Sequence, residues 1–317
     1  MPSTSSHSPG KAILFGEHAV VYGQPAIAVP VLQLNATTYV LANPIGKPGE
    51  VSIEAPDIGL FEMLSALGKE NPIKSAINET QKVLKIDHLP ACKISIVSTI
   101  PIASGLGSGA AITISLIRAL SKFLGQELLD SDVNAIAFEV DKYYHGNPSG
   151  IDNTVITYEK PIYFIRENPF EIIKPMFPIN LVIADTGIKS STREMVNGVR
   201  QRRSADEIKY GGFFTEIGSI VAEAKISIEN GDLQKLGSLM CQNQEILHKI
   251  EVSHPTLDRL INLAMKSGAL GAKLSGAGGG GNMIALTDKD HMEEIISNLK
   301  EAGARMVIKT RVEGRKR

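Results

Sequence analysis

The sequence predicts an α+β protein with two domains. Its 317 residues exceed what one hydrophobic core usually organises, so a division into two domains is expected. Apolar and β-branched runs mix with helical patterns, but without the regular strand–helix alternation of a doubly wound sheet. Prolines cluster at Pro169, Pro175 and Pro178. We therefore expect a first domain over residues 1–172 and a second over residues 173–317.

The first domain is predicted to combine strands with buried helices. Apolar runs cut by Gly and Pro predict strands at 12–15, 26–31 and 37–41, and alternation predicts another at 93–98. Residues 43–71 carry Pro, Gly and mixed charge, which predicts a loop with a short helix. Helices are expected at 72–84, 108–124 and 132–144. The helix at 108–124 is apolar almost all round and should be buried.

The second domain is predicted to contain four strands and four helical stretches. The strands are expected at 181–184, 269–274, 282–286 and 304–309. The helical stretches are expected at 191–229, 232–249, 255–267 and 289–301. A glycine run separates the second strand from the third.

Composition and charge are typical of an ordinary globular protein. The net charge of −1 offers no basic footprint for nucleic acid or an anionic membrane, so neither partner is expected. Cys92 and Cys241 lie far apart and outside any CxxC pair, which favours structural thiols in a reducing compartment. No apolar signal segment or membrane-length run is visible, so a cytoplasmic protein is expected. Homodimerisation stays open.

The most informative segment reads Pro101-Ile-Ala-Ser-Gly-Leu-Gly-Ser-Gly-Ala-Ala111. A predicted strand leads into a glycine-rich turn, which leads into the buried helix. Glycines let backbone N–H groups approach an anion, and a helix N-terminus adds unpaired donors and a favourable dipole. The segment therefore predicts a phosphate cradle without the P-loop pattern, although a tight turn with small packing residues also fits. The expected nucleotide contacts are Pro101, Ser104, Gly105, Leu106, Gly107, Ser108, Gly109, Ala110 and Ala111. We also expect Ser108 to cap the helix.

A second glycine run, residues 276–281, formally satisfies the GxGxxG pattern. A strand instead of a helix is predicted to follow it, which disfavours a dinucleotide-binding turn. The run is better interpreted as a hairpin-like loop whose glycines admit another backbone or a ligand, although a plain turn is the simpler alternative.

Three motifs occur in the order and approximate spacing of GHMP small-molecule kinases. They are Ser8-Pro-Gly-Lys-Ala-Ile-Leu-Phe-Gly-Glu-His-Ala-Val-Val-Tyr-Gly23, residues 101–111, and Lys273-Leu-Ser-Gly-Ala-Gly-Gly-Gly-Gly281. The chain thus resembles that superfamily over nearly its whole length. Within it, residues 16–23, Asn147-Pro-Ser-Gly-Ile-Asp-Asn153 and Asp185-Thr-Gly-Ile-Lys-Ser-Ser-Thr-Arg193 resemble the mevalonate kinase family.

The resemblance implies a fold and an activity. The N-terminal domain would be like ribosomal protein S5 domain 2 and the C-terminal domain would be ferredoxin-like, with ATP and substrate in the cleft between them. The activity would be transfer of the γ-phosphate of ATP, with Mg²⁺, to the primary hydroxyl of mevalonate. Alternatives are another GHMP kinase, acting on phosphomevalonate, galactose or homoserine, an inactive regulatory relative, or a decarboxylase of the same pathway.

The resemblance also implies residue roles. Asp152 would be the catalytic base, with Lys11 beside it, and Glu139 would bind Mg²⁺. By their local patterns alone, these would be a turn aspartate, a strand-end lysine and an exposed helix glutamate. The presence of all three argues against an inactive relative. Glu17, His18 and Thr192 would contact mevalonate, with His18 as a hydrogen-bond donor.

One position departs from the family pattern. Mevalonate kinases commonly read Gly-Leu-Gly-Ser-Ser-Ala-Ala in the phosphate loop, and the second serine is thought to help hold Mg²⁺. Here that position is Gly109, so the contact does not carry over. We expect water to replace it, because Mg²⁺ readily keeps several waters.

Overall fold

The computed structural model describes residues 3–102, 104–145 and 148–315. Its packing divides the chain into two compact units. Unit 1 comprises residues 1–10, 34–102 and 107–159, and unit 2 comprises residues 11–33, 103–106 and 160–317. The domain division at residue 172 stays a prediction, since these units are defined by packing and not by a single cut.

Unit 1 contains a mixed sheet and four helices. Its elements are β1 (Ser3–Phe15) and β2 (Ala26–Ala42), which both continue into unit 2, with β3 (Val51–Ala55), β4 (Leu60–Met63), α1 (Pro72–Leu84), β5 (Cys92–Ser98), α2 (Ser108–Phe123), α3 (Asp130–His145) and α4 (Ile151–Tyr158). Within the unit the strand order is β4-β3-β5-β2. β3 runs parallel to β5, and the other neighbours are antiparallel.

The prediction of a loop with a short helix over 43–71 was wrong in its main part. Two strands, β3 and β4, flank a single 3-10 turn at Pro56–Ile58. Val51, Ile53 and Ala55 alternate into the core, but the surrounding Pro, Gly and charged residues obscure that short pattern. The strands predicted at 26–31 and 37–41 are likewise one continuous strand, β2.

Helix α1 shows how local signals and packing agree. The Asn71 side chain accepts hydrogen bonds from the backbone N–H groups of Ile73 and Lys74, and Pro72 occupies the first turn, where its missing N–H costs nothing. Ile73 and Ile77 then lie on one buried face. They join a core between the helices and the sheet that includes Val40, Val51, Ile53, Ile94, Ile96, Leu116, Leu120 and Val140.

Arg118 ties three helices of unit 1 together. From α2 its guanidinium donates to the Asp130 carboxylate of α3 at 2.7 Å and to the Thr157 carbonyl of α4 at 2.6 Å. A second nitrogen reaches Glu159 at 3.3 Å. A planar guanidinium suits such divergent acceptors. Its contacts fix the helix that follows the phosphate loop against α3 and α4.

Unit 2 contains an antiparallel sheet backed by helices. The elements of the unit are β6 (Ile162–Phe164), β7 (Glu171–Ile172), β8 (Ile179–Asp185), α5 (Thr192–Ala205), α6 (Glu207–Asn230), α7 (Leu233–Lys249), α8 (Pro255–Lys266), β9 (Gly271–Ser275), β10 (Asn282–Thr287), α9 (Met292–Glu301) and β11 (Met306–Val312). The sheet order β11-β8-β10-β9 is the order fourth, first, third, second along the chain. With helices between the first and second strands and between the third and fourth, this is a ferredoxin-like arrangement, as expected.

The long helical stretch predicted at 191–229 is two helices. Asp206 has non-helical backbone angles, and its carboxylate accepts the Lys209 N–H at 3.1 Å, so it ends α5 and caps α6. Apolar periodicity on both sides conceals this break from a reading of the sequence. Across the described part of the chain, the search for a helix able to cross a membrane found none.

Two glycines let α7 approach β9 closely. A Cβ placed on Gly237 would overlap the Leu270 carbonyl oxygen, and one placed on Gly271 would overlap the Gly237 carbonyl oxygen. Both positions are therefore closed to larger residues. This close approach positions β9, which carries part of the candidate site.

We predict that Gly237→Ala lowers the free energy of unfolding by about 1–3 kcal/mol, the usual cost of overpacking. Gly212→Ala is the matched control, because Gly212 is also inside a helix but a Cβ there meets open space. The control should gain roughly 0.5–1 kcal/mol from the better helix propensity of alanine. Urea unfolding of both variants measures the difference, and equal effects would contradict the packing argument.

Candidate active site

The part of the first motif that follows β1 folds as a sharp turn within unit 2. Gly16 has φ +93° and lies against Ala26, where a Cβ would overlap the backbone. Glu17 and His18 follow and lead into one 3-10 turn, Ala19–Tyr22. Glu17 and His18 are thus placed by a backbone conformation that only glycine can supply at residue 16.

Glu17 forms a buried ion pair with Lys273 of β9. The Lys273 ammonium donates to Glu17 Oε1 and to the Leu274 carbonyl oxygen, and neither charged side chain is more than 1% exposed. Burial raises the pKa of Glu17, while the positive charges of Lys273 and Lys11 oppose that rise. Burial also lowers the pKa of Lys273, and Glu17 opposes that fall. Each charge therefore depends on its partner to stay ionised.

His18 is held as a neutral imidazole. Burial lowers its pKa to about 4, with the Arg202 charge acting in the same direction and the Ala277 carbonyl opposing. Its Nε2 lies 2.9 Å from the Ala277 carbonyl oxygen, which only accepts, so Nε2 carries the proton. Nδ1 is then a hydrogen-bond acceptor. The expected donor role of His18 does not suit this geometry, because the N–H is already used.

Ser275 joins β9 to the first motif. Its hydroxyl accepts the Ile13 N–H at 3.1 Å and donates to the Ile13 carbonyl at 2.9 Å. Asn282, across the glycine run, donates its side-chain N–H to the Ser104 carbonyl oxygen. The first and third motifs and the start of the phosphate loop are therefore joined within unit 2.

The glycine run is a connection between neighbouring antiparallel strands, as predicted. Ser275 pairs with Asn282 across β9 and β10. Gly278 and Gly280 have positive φ, and a Cβ on either would overlap a backbone oxygen, of Val252 and Ile188 respectively. Close packing as well as turning therefore requires glycine at these two positions.

The predicted substrate segment 185–193 lies against this run. The Thr186 N–H donates to the Gly281 carbonyl at 2.9 Å, and the Gly281 N–H donates to the Ile188 carbonyl at 3.0 Å. Thr192 follows as the first residue of α5 and is exposed, with Ser191 as the helix cap. Unit 2 therefore contains Lys11, Glu17, His18 and Thr192 on connected segments.

The phosphate loop has the expected conformation, with one correction. Gly105 and Gly107 have φ of +80° and +78°, and α2 begins directly after them. Gly107, not Ser108, occupies the cap position and no side-chain cap is formed, so the prediction for Ser108 as a cap was wrong. Ser108 is the first helical residue, and the first helical turn leaves backbone N–H groups without intrahelical partners. Lys11 is tied to the loop by its N–H, which donates to the Leu106 carbonyl at 2.9 Å. Ala103 lies outside the described residues.

Unit 1 places Asp152 and Glu139 on neighbouring helices. Asp152 is half-buried in the first turn of α4, and this helix begins directly after Gly150, which has φ +87°. The Asn153 amide donates to the Asn134 side chain of α3 at 2.7 Å, which joins the two helices. Asn147 of the same motif lies outside the described residues. The turn that precedes Asp152 thus leads into a helix, which fixes the carboxylate more firmly than a turn alone.

Glu139 is half exposed on α3 and pairs with Lys142 at 2.7 Å. Among the described residues, no three His, Cys, Asp or Glu side chains lie close enough together to hold a metal ion. A Cβ on Gly109 would meet open space. The described part of the chain therefore offers a carboxylate and room beside the loop, but no metal cage built from protein side chains alone.

Sequence reasoning gave no role to several side chains that organise this site. They are Lys273, Ser275, Asn282 and Arg202. For Lys273 a signal was present, since a lysine inside the apolar strand Gly-Ala-Lys-Leu-Ser implies a buried partner. The others gave no signal, because the hydrogen-bond partners described for them lie 48 or more residues away in the chain.

Comparison with known proteins decides the family. The family model for the GHMP kinases N terminal domain matches residues 71–160, and that for GHMP kinases C terminal matches residues 224–305. The mevalonate kinase of Pyrococcus horikoshii is 36% identical over 93% of this chain and 92% of its own length. The chain belongs to the mevalonate kinase family of GHMP kinases. As a family member it is an ATP-dependent kinase that acts on an alcohol.

Solved structures of this family have the same fold. Mevalonate kinase from Methanococcus jannaschii aligns over 99% of both chains with a TM-score of 0.85 and 31% identity. The L. major mevalonate kinase in complex with R-mevalonate aligns over 99% of this chain and 97% of its own, with a TM-score of 0.84 and 32% identity. The predicted GHMP kinase fold is confirmed.

We predict that His18 makes stability depend on acidity. Its pKa is about 4 in the folded protein against an ordinary value of 6.5 for histidine, so the unfolded chain binds more protons as pH falls below about 6.5. Between about pH 7 and 4.5 the wild type should therefore lose about 2 kcal/mol more than His18→Asn. Asparagine is chosen because it tolerates positive φ.

The measurement is urea unfolding at both pH values. His88→Asn is the control, because the His88 side chain is exposed. If His18→Asn lost as much stability on acidification as the wild type, the buried neutral imidazole would be refuted.

Proposed function

We propose that this kinase transfers the γ-phosphate of MgATP to the primary hydroxyl of mevalonate, giving 5-phosphomevalonate and ADP. The observation that carries the proposal is identity to mevalonate kinases over nearly the whole chain, at 36% for P. horikoshii and 35% for Methanocaldococcus jannaschii. The reaction would be an early step in making isoprenoid precursors.

The nucleotide would bind at the phosphate loop and the recess beside it. Backbone N–H groups in the first turn of α2 suit phosphate oxygens, aided by the helix dipole. A shallow, mainly apolar recess in unit 1 adjoins Ser108. It is lined by Ala55, Asp57, Ile58, Ile73, Ile96, Ser98, Ile102, Ser108 and Ile112. Apolar side chains thus lie next to the proposed phosphate cradle, and the Asp57 carboxylate accepts the Ser98 N–H at 2.7 Å on one side of the recess.

The substrate would be held by unit 2 residues. Mevalonate has a carboxylate, a tertiary hydroxyl and a primary hydroxyl. With Nε2 committed to Ala277, His18 would accept a hydrogen bond at Nδ1 from a substrate hydroxyl. Thr192 would contribute its hydroxyl from the exposed start of α5. A site that pairs each hydroxyl rejects analogues lacking one, because a buried polar group is then left unpaired.

Catalysis would rest on positioning and charge. Asp152 would accept the proton of the primary hydroxyl as its oxygen attacks the γ-phosphorus and the bond to ADP breaks. The ammonium of Lys11 would offset negative charge on the transferring phosphoryl group. Both groups are anchored by the backbone, Lys11 in β1 and Asp152 in α4.

Magnesium fits the site with few protein ligands. When bound, the ion would neutralise phosphate charge. Mg²⁺ usually takes one or two carboxylates plus phosphates and water, so Glu139 suffices once it leaves Lys142. The open space at Gly109 leaves room for water where relatives carry a serine.

We predict that the purified protein releases ADP with mevalonate but not with phosphomevalonate, galactose or homoserine. Asp152→Asn is the matched control for contaminating kinases. It should lower kcat by roughly 10²–10⁴, the worth of a general base, while the melting temperature barely moves because the change is nearly isosteric. A coupled ADP assay decides. Turnover of phosphomevalonate alone would refute the substrate, and a fully active Asp152→Asn would refute the base.

We predict that Glu139→Gln sharply raises the Mg²⁺ concentration needed for half-maximal activity. Gly109→Ser should keep kcat within about tenfold, or about 1.4 kcal/mol of barrier, because a Cβ there meets nothing within 4 Å. Activity titrated against Mg²⁺ compares the two variants. A folded but inactive Gly109→Ser would show that backbone approach to phosphate needs the glycine, contrary to this account of the metal site.

A further inference from the structure

The Glu17 carboxylate has one oxygen with a partner and one without. Oε1 accepts from Lys273, whereas Oε2 is buried and makes no hydrogen bond to any described residue. An ionised carboxylate normally accepts several hydrogen bonds, and a buried acceptor without any is costly. An acceptor in this state, beside the substrate-side His18, calls for a donor that arrives with a ligand.

Lys273 is in no position to meet a ligand itself. It lies inside β9 opposite Ile284, its side chain is fully buried, and its ammonium is committed to Glu17 and the Leu274 carbonyl. Any influence on substrate must pass through Glu17. The Lys273 side chain also sets the carboxylate's orientation, because it binds one oxygen and leaves the other.

Residues 273–277 contact the first motif at three points. Ser275 binds Ile13, Lys273 binds Glu17, and the Ala277 carbonyl binds His18. The contacts of Ser275 and Ala277 would keep the backbone in place if the Lys273 contact were removed. Loss of Lys273 should therefore change the carboxylate more than the fold around it.

The charge of Lys273 keeps Glu17 an acceptor. The charges that face Glu17 are Lys273 from β9 and Lys11 from β1, and burial works against both by raising the Glu17 pKa. Without Lys273 that pKa would rise further, which favours the protonated carboxyl. A protonated carboxyl would present a donor in place of an acceptor.

We propose that Lys273 is a positioning residue for the alcohol substrate: it orients the Glu17 carboxylate so that Oε2 accepts a hydrogen bond from a substrate hydroxyl. The inference rests on the proposed function for the identity of the alcohol. It assigns to the third motif a task in substrate recognition, in addition to the close packing of its glycines.

The test is the steady-state kinetics of Lys273→Met, which keeps the side-chain length and removes the charge. Near pH 7 its KM for mevalonate should rise roughly 10- to 100-fold, as for loss of a hydrogen bond to a charged group. Its KM for ATP should stay within about threefold. The mevalonate defect should shrink as the pH is raised, because a higher pH favours the charged Glu17 carboxylate. The KM of Lys273→Arg for mevalonate should lie between the values of the wild type and Lys273→Met.

A double variant, Glu17→Gln with Lys273→Met, covers the case in which Lys273→Met does not fold, because it leaves no unpaired buried charge. It should show the raised KM for mevalonate without the recovery at high pH. Equal rises in both KM values, an unchanged KM for mevalonate, or a pH recovery that persists in the double variant would each overturn the proposal.

The wild-type substrate panel separates this failure from failure of the proposed function. If the wild type used a different alcohol, the mevalonate assignment would fall. The Lys273 variants would then be measured with that alcohol, and the same pattern of KM and pH would decide the positioning role.

Discussion

The candidate site depends on one constraint: the first motif must stay fixed to β9 although the two lie more than 250 residues apart in the chain. Three contacts supply that constraint. They are the buried ion pair, the Ser275 hydroxyl that hydrogen-bonds both the N–H and the carbonyl of Ile13, and the Ala277 carbonyl that accepts from the His18 imidazole. The ion pair is a weak source of stability, because desolvation offsets most of the attraction. The ion pair instead fixes the geometry of the two side chains. Removing either partner would leave the other charge buried and unpaired, which destabilises the fold far more.

The same burial determines the chemistry that these groups offer. In water, either ring nitrogen of a histidine can donate or accept a hydrogen bond. His18 is buried and neutral, and its Nε2 already donates to the Ala277 carbonyl. It therefore presents an acceptor. The Glu17 carboxylate presents another, and the charges of Lys273 and Lys11 oppose the rise of its pKa that burial causes. Two acceptors on consecutive residues suit the proposed substrate, which has two hydroxyl groups.

The phosphate loop differs from this part of the site, because its proposed ligand contacts come from backbone N–H groups and not from side chains. Two glycines with positive φ turn the chain into α2, and a Cβ on Gly109 would meet open space. A backbone cradle needs only the helix start and the dipole, which do not depend on the identity of residue 109. A glycine at residue 109 is therefore compatible with the proposed nucleotide binding. Arg118 fixes the helix that follows the loop against α3 and α4.

Local chemistry in the sequence determined the fold class, helix α1 to the residue, the glycine turns and the family, because caps, periodicity and motifs act over a few residues. It did not reveal β3 and β4, whose short pattern is masked by flanking Pro and Gly, nor the break at Asp206 within a continuous helical pattern. Only the tertiary structure decided that Lys273 meets Glu17 and that the His18 N–H is already used. Hydrogen bonds and desolvation depend on which distant groups are brought together, and no local pattern encodes that.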